Sequence, residues 1–256
     1  MSMSWPRAAR GGPALRKLTA TEAKLLWRTP AVLFWAIAFP LIGLLAVGLI
    51  PGTNQPEKQF GGASVLQTYL PIIIAFTIVM TAVNFLPASL VTYRERGILR
   101  RMSTTPVRPS AVLGAQVIVN VSVQVAMTVV VAVIAVAGFG ASIRQPAAFA
   151  AGFVLVTAAL STLGLLVAAV CSTGRAASAV GSLLFFVLMF FGGLWWPRSQ
   201  MPAALRSVSD VTPLGAGVQT LQDGMAGQWA QPGYLAVLAG YVIICGVLAT
   251  RLFRWE

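Results

Sequence analysis

Histidine is absent from this sequence, cysteine occurs twice, lysine three times, and acidic residues number six against eighteen basic ones. Each shortage excludes a class of chemistry. Without histidine there is no Ser–His nucleophile pair. Cys171 and Cys245 are far apart and form neither a disulfide framework nor a metal-ligand spacing. Lys17, Lys24 and Lys58 follow Arg, Ala and Glu, so no Gly-Lys-Ser/Thr phosphate loop exists and the chain is not itself an ATPase. The acids Glu22, Glu57, Glu95, Asp210, Asp223 and Glu256 all fall outside the middle of the apolar runs. Self-contained proton coupling and a membrane aspartyl protease both lack their titratable groups. Only 9% of residues are charged, against about a quarter in soluble domains.

What is present is apolar sequence, 57% of the chain. It divides into six runs long enough to cross a bilayer, which takes about twenty residues. They are 31–50, 69–91, 111–139, 147–170, 176–194 and 234–253, in an all-α integral membrane protein. Residues 13–28 form an amphipathic helix, with Leu15, Leu18, Leu25 and Leu26 opposite Lys17, Lys24 and Arg28, expected on the inner leaflet. Glu22 falls inside its apolar arc and needs a partner, for which Arg96 or Arg100 is the expectation. The net charge of +12 is not a nucleic-acid footprint, because the basic residues cluster at the ends of apolar runs. With both termini cytoplasmic, the outer segments carry only Lys58, Arg144, Arg198 and Arg206, and every other cation is inside. No removable signal peptide is expected.

Between spans two and three, residues 93–109 read YRERGILRRMSTTPVRP. Five arginines exclude this stretch from hydrocarbon. Ile98, Leu99 and Met102 share one side of a short helix, and Thr105-Pro106 and Arg108-Pro109 end it. Glu95-Arg96-Gly97-Ile98-Leu99-Arg100-Arg101-Met102, followed by Thr105-Pro106-Val107, resembles the coupling-helix signature of type-2 permeases of ATP-binding-cassette exporters. A second stretch, at 198–230, resembles the re-entrant region of the same family. Gly192-Gly193 precedes Pro197 and Met201-Pro202, and Pro213-Leu214 opens a second short helix. Segments Met201–Val208 and Leu214–Met225 have helical apolar spacing but are shorter than a span.

The resemblance covers nearly the whole chain and implies a division of labour. A separate cytosolic ATP-binding subunit, in two copies, would hold ATP and magnesium, while this chain binds no cofactor or metal. A second permease chain, identical or paralogous, would complete a dimer in a bacterial inner membrane. Glu95, Arg96, Arg100 and Arg101 would make polar contacts to the ATPase while Ile98, Leu99 and Met102 fill its groove. Transport would proceed by alternating access, with spans two and five lining the cavity.

Two polar stripes and one aromatic face are candidates for that cavity. Thr77, Thr81 and Asn84 lie on span two, and Gln116, Asn120, Gln124 and Thr128 recur every four residues on span three. A stripe of this kind serves either a substrate path or interhelical hydrogen bonding. The span-two set is read as path and the span-three set as interhelical. On span five Phe186, Met189 and Phe190 share a face that suits variable apolar ligands or lipid equally. A hydrophobic or amphipathic small molecule such as a drug, antibiotic or lipid fits these surfaces. Polysaccharide or glycolipid export, and a non-transport immunity or assembly role, stay open as alternatives.

Overall fold

The computed structural model describes residues 11–60, 62–98 and 109–252. Helices carry the described fold, and the β pairing there is an isolated bridge between Pro56 and Ser64. Helix α1 spans Gly11–Trp27. The six membrane-length helices are α2 (Pro30–Gly48), α3 (Val65–Glu95), α4 (Pro109–Phe139), α5 (Pro146–Val170), α6 (Gly174–Phe191) and α9 (Pro232–Leu252). Two shorter helices, α7 (Ala203–Val211) and α8 (Pro213–Ala226), lie between α6 and α9.

Helix α3 is the axis of the bundle. Its most apolar stretch is 83% buried, against 17–22% for α2, α6 and α9. Those three turn most of their surface outward, as helices bathed in lipid do. The core gathers on α3 through Leu70, Ile74, Ile78, Phe76 and Leu86, met by Leu160, Met189 and Leu214 from other helices. An aromatic series crosses three helices, with Phe39 stacked on Phe76 at 4.5 Å and Phe76 edge-on to Phe185 at 5.3 Å.

Local chemistry sets the helix ends. Ser64 and Gln67 form a reciprocal capping box, at 3.1 and 3.2 Å, that starts α3 four residues before its most apolar run. Thr173 caps α6 and Thr212 caps α8, with Pro213 in the first turn of α8, where its missing N–H costs nothing. Helix α6 ends at Phe191, short of the expected 194. The cause is Gly192-Gly193: Gly193 takes φ +91°, and the Leu194 amide folds back to the Met189 carbonyl. That is a left-handed glycine stop.

Two segments widen into π-helix, Phe34–Ala38 in α2 and Met80–Phe85 in α3, and each lies just before a proline, Pro40 and Pro87. A proline inside a helix removes a donor and crowds the preceding turn, and a wider turn relieves that crowding. Residue 87 would pair with Val83 in α spacing and with Ala82 in π spacing, but Pro87 has no N–H to give. Those two carbonyls lie against glycines of neighbouring helices. A Cβ on Gly181 would come within 2.7 Å of the Val83 oxygen, and one on Gly164 would collide with the Ala82 oxygen. Glycine therefore lets α5 and α6 close onto the widened turn of α3.

Helix α8 is buried among the spans. Gly152 of α5 faces Thr220, Gly217 faces Val156, and Gly224 rests on the Phe149 backbone. These contacts fall on the first half of α5, so α8 lies alongside the spans at that end. Irregular backbone at such depth is tolerated when protein surrounds it.

Candidate functional site

The end of α3 that carries Arg94 and Glu95 is tied to the α5–α6 turn. The Arg94 guanidinium donates to the Ala168 carbonyl at 3.4 Å and to the Cys171 carbonyl. The Glu95 carboxylate accepts the Gly174 backbone N–H at 3.0 Å. A cation therefore meets the C-terminal end of α5 and an anion the N-terminal end of α6, both matching the helix dipoles. The Glu95 carboxylate, expected to contact the ATPase, is exposed and makes this one contact within the chain. Arg96 is exposed and Ile98 is half-buried. Leu99, Arg100, Arg101 and Met102 lie outside the described residues.

Helix α1 packs against the start of α4 and brings Glu22 to α3. The Tyr93 hydroxyl donates to Glu22 at 3.1 Å and the Gln116 amide donates at 2.9 Å. Among the described residues no ion pair joins Arg96 to Glu22, and Arg100, the other expected partner, lies outside them. Partial burial pushes the Glu22 carboxyl above its ordinary pKa, and the two hydrogen bonds oppose that shift.

From Gln116 a polar ladder runs up the α3–α4 interface. Ser89 donates to Gln116 Oε1 at 2.5 Å, and Gln124 Nε2 donates to Thr81 Oγ1 at 2.7 Å. The two contacts are eight residues apart on each helix and run antiparallel, so one register holds both. One turn further the same register sets Thr77 opposite Thr128. Asn120 turns its amide back to the Gln116 carbonyl at 3.0 Å. Gln124 is fully buried and Thr77 and Thr81 are 1% exposed. Gln124 Oε1 and the Thr77 and Thr128 hydroxyl oxygens have no partner among the described residues.

The residues expected to line a substrate path are thus divided. Thr77 and Thr81 face inward in this conformation rather than into an open cavity. Asn84 is half-buried and donates to Ser182 Oγ at 3.1 Å, joining α3 to α6. Phe186 is 59% exposed and stacks on Trp195 at 6.1 Å, Phe190 is half-buried, and Met189 is fully buried. The shared face expected of these three splits, since Met189 packs into the bundle and Phe186 points out of it. Arg94, Tyr93 and Gly174 were not singled out by spacing, because their roles depend on contacts some seventy to eighty residues away along the chain.

At the opposite end of the bundle, Arg198 holds Asp210 through both carboxylate oxygens at 2.6 and 2.8 Å and reaches the Tyr234 hydroxyl at 3.3 Å. This ties the segment after α6 to α7 and α9. Beside it lies an open pocket of about 480 Å³ whose lining includes Gln67, Arg144, Gln219, Gln222 and Asp223.

Six apolar helices of spanning length, one of them the buried central α3, define a multi-pass α-helical membrane protein. The chain belongs to the ABC-2 type transporter family, whose pattern it matches over residues 13–226. It is similar to a Bacillus subtilis (strain 168) protein named "Putative transport permease YvfS", with 23% identity over 250 residues, 94% of this chain and 97% of that one.

Proposed function

We propose that this chain is the membrane permease of an ATP-driven exporter that takes its energy from separate ATP-binding subunits. The arginine-rich end of α3 faces the cytoplasm with both termini, in a bacterial inner membrane, and two permease chains work with two ATPase subunits. ATP and magnesium are bound by the partner. The observation that carries the reading is the tie at Arg94 and Glu95. The central helix α3 ends at Glu95, within the arginine-rich segment 93–109, and is fastened there to both α5 and α6. A displacement of that segment would move three spans as one body.

The cargo fits best as a hydrophobic or amphipathic small molecule. The exposed surfaces of α2 and α6 offer Phe34, Trp35, Leu183 and Phe186 rather than charge. The test is a pull-down of the tagged chain from its native membrane, with ATPase activity assayed on the eluate. Co-elution of an ATPase that is lost in Leu99→Asp supports the reading, and Arg101→Glu should then lower coupled transport while membrane insertion is unchanged. No co-eluting ATPase under gentle detergent would overturn it.

A further inference from the structure

The pocket at the end of the bundle remote from Arg94 is built rather than incidental. The start of α3 with the loop before it, the α4–α5 turn, the segment after α6 and α8 wall it, and hydrogen bonds lock the first two of these to α8. The Arg144 amide donates to the Met225 carbonyl at 3.3 Å and the Gln145 amide to the Gly224 carbonyl at 3.0 Å, clipping the α4–α5 turn to the end of α8. Gly227 takes φ +91° and a Cβ there would lie 3.2 Å from Arg144 Cβ, so the turn after α8 sets where Arg144 stands. Gln222 donates to the Thr68 carbonyl at 3.3 Å and receives Gln219 at 2.8 Å, joining α8 to the first turn of α3.

The lining carries both signs of charge. Arg144 is exposed, and among the described residues no carboxylate lies within ion-pair distance of it. Asp223 is half-buried, and its Oδ2 accepts the Gln231 amide at 3.4 Å. Burial raises its carboxyl above the ordinary range more than that bond and Arg198 lower it. Among the described residues no cation lies within ion-pair distance of it. Arg198, which also lines the pocket, is already committed to Asp210. Around these two groups stand the amides of Gln67, Gln219 and Gln222, able to donate and accept.

The pocket lies at the ends of the spans, the depth at which lipid headgroups lie, and exposed Trp195, Trp196 and Trp229 follow in the connections at that end. We infer that this pocket binds the headgroup of a zwitterionic phospholipid, with the phosphate on the Arg144 guanidinium and a primary ammonium on the Asp223 carboxylate. A guanidinium is well matched to phosphate oxygens. An ammonium brings three donors, which Asp223 and the neighbouring amide oxygens accept, whereas a quaternary headgroup brings none. The lipid belongs to the outer leaflet under the orientation proposed above, but the binding chemistry does not depend on that orientation.

The test uses the full-length protein in detergent micelles doped with phosphatidylethanolamine, phosphatidylcholine or phosphatidylglycerol. Bound lipid is counted by native mass spectrometry, and melting is followed in parallel. Phosphatidylethanolamine should bind most tightly. Arg144→Gln and Asp223→Asn should each weaken it about tenfold, the scale of one charge-assisted contact, and Arg144→Lys should restore much of the loss. Arg144 is exposed, so its variants retain the unliganded melting temperature and serve where Asp223→Asn is unstable. Equal binding of all three lipids, undiminished binding by Arg144→Gln, or equal competition by soluble glycerophosphoethanolamine would overturn the assignment. Each result is independent of whether an ATPase co-elutes.

Discussion

The Glu95 carboxylate accepts the Gly174 amide at 3.0 Å, across the junction where α3, α5 and α6 meet the arginine-rich segment. Its neighbour Arg94 holds the end of α5 through the Ala168 and Cys171 carbonyls. Adjacent residues of opposite charge thus grip the two sides of one turn. Arg94 is half-buried and bonds two carbonyls, so Arg94→Gln should destabilise the chain by about 1–2 kcal/mol. Glu95 is exposed, and Glu95→Gln should cost less than about 1 kcal/mol. If the tie transmits motion, both variants should lower transport-coupled ATPase activity by more than their melting temperatures explain. Coupling that falls only in step with stability would reduce the tie to a structural role.

Helix α3 can sit at the centre of the bundle because its neighbours present glycine where its backbone widens. Gly164→Ala would drive a methyl into the Ala82 carbonyl, and Gly181→Ala would set one 2.7 Å from the Val83 oxygen. Backbone on the receiving side cannot rotate away, so each should destabilise by about 1–3 kcal/mol or more. Gly240→Ala is the control, because a Cβ there meets nothing within 4 Å. It should be neutral or gain about 0.5–1 kcal/mol from helix propensity. Thermal melts of the three variants in one detergent decide it, and equal melts would refute the close approach.

The spans were legible from hydropathy because a long apolar run has few other homes, and the basic cluster at 93–109 marked the break between two of them. Helix ends were less legible. Span two reads from 69 by hydropathy, yet Ser64 and Gln67 satisfy one another and open α3 at Val65. Arg94 and Glu95 read as the water-exposed end, and Glu95 is exposed, but their contacts with the ends of α5 and α6 were not visible in the sequence. Glu22 raised the expectation of an arginine because unlike charges attract, whereas the fold supplies a phenol and an amide from residues about seventy and ninety positions away. A single sequence holds no record of such pairs. The Thr and Gln stripes were visible as periodicity, but which neighbour each one faced depended on the α3–α4 register.

That register yields a double-mutant cycle at Thr81 and Gln124. Thr81→Val leaves the Gln124 amide buried without its acceptor and should cost about 1–3 kcal/mol. Gln124→Leu removes a fully buried amide whose Oε1 is already unpartnered, and should cost less. The double variant should be more stable than the sum of the singles, with a coupling near 0.6 kcal/mol, the average for hydrogen bonds between membrane helices. Additive singles, measured by reversible unfolding in mixed micelles, would show that the 2.7 Å contact contributes nothing net.

Glu22 makes the docking of α1 dependent on pH. Burial raises its carboxyl above the ordinary value when α1 is docked, so the docked state binds the proton more tightly than the undocked one. Docking is therefore fully supported below the ordinary carboxylate pKa and weakens as pH rises through the raised value. Above that value an ionised carboxylate must remain half-buried, held by Tyr93 and Gln116. Glu22→Gln keeps the shape and both donors' reach without the charge. It should hold α1 docked at every pH, matching the wild type at acid pH and exceeding it at neutral pH. Hydrogen exchange of the α1 amides across the carboxylate range measures this directly, after correction for the intrinsic pH dependence of exchange. Wild-type protection that rises with pH, or a Glu22→Gln variant that still tracks pH, would place the titrating group elsewhere.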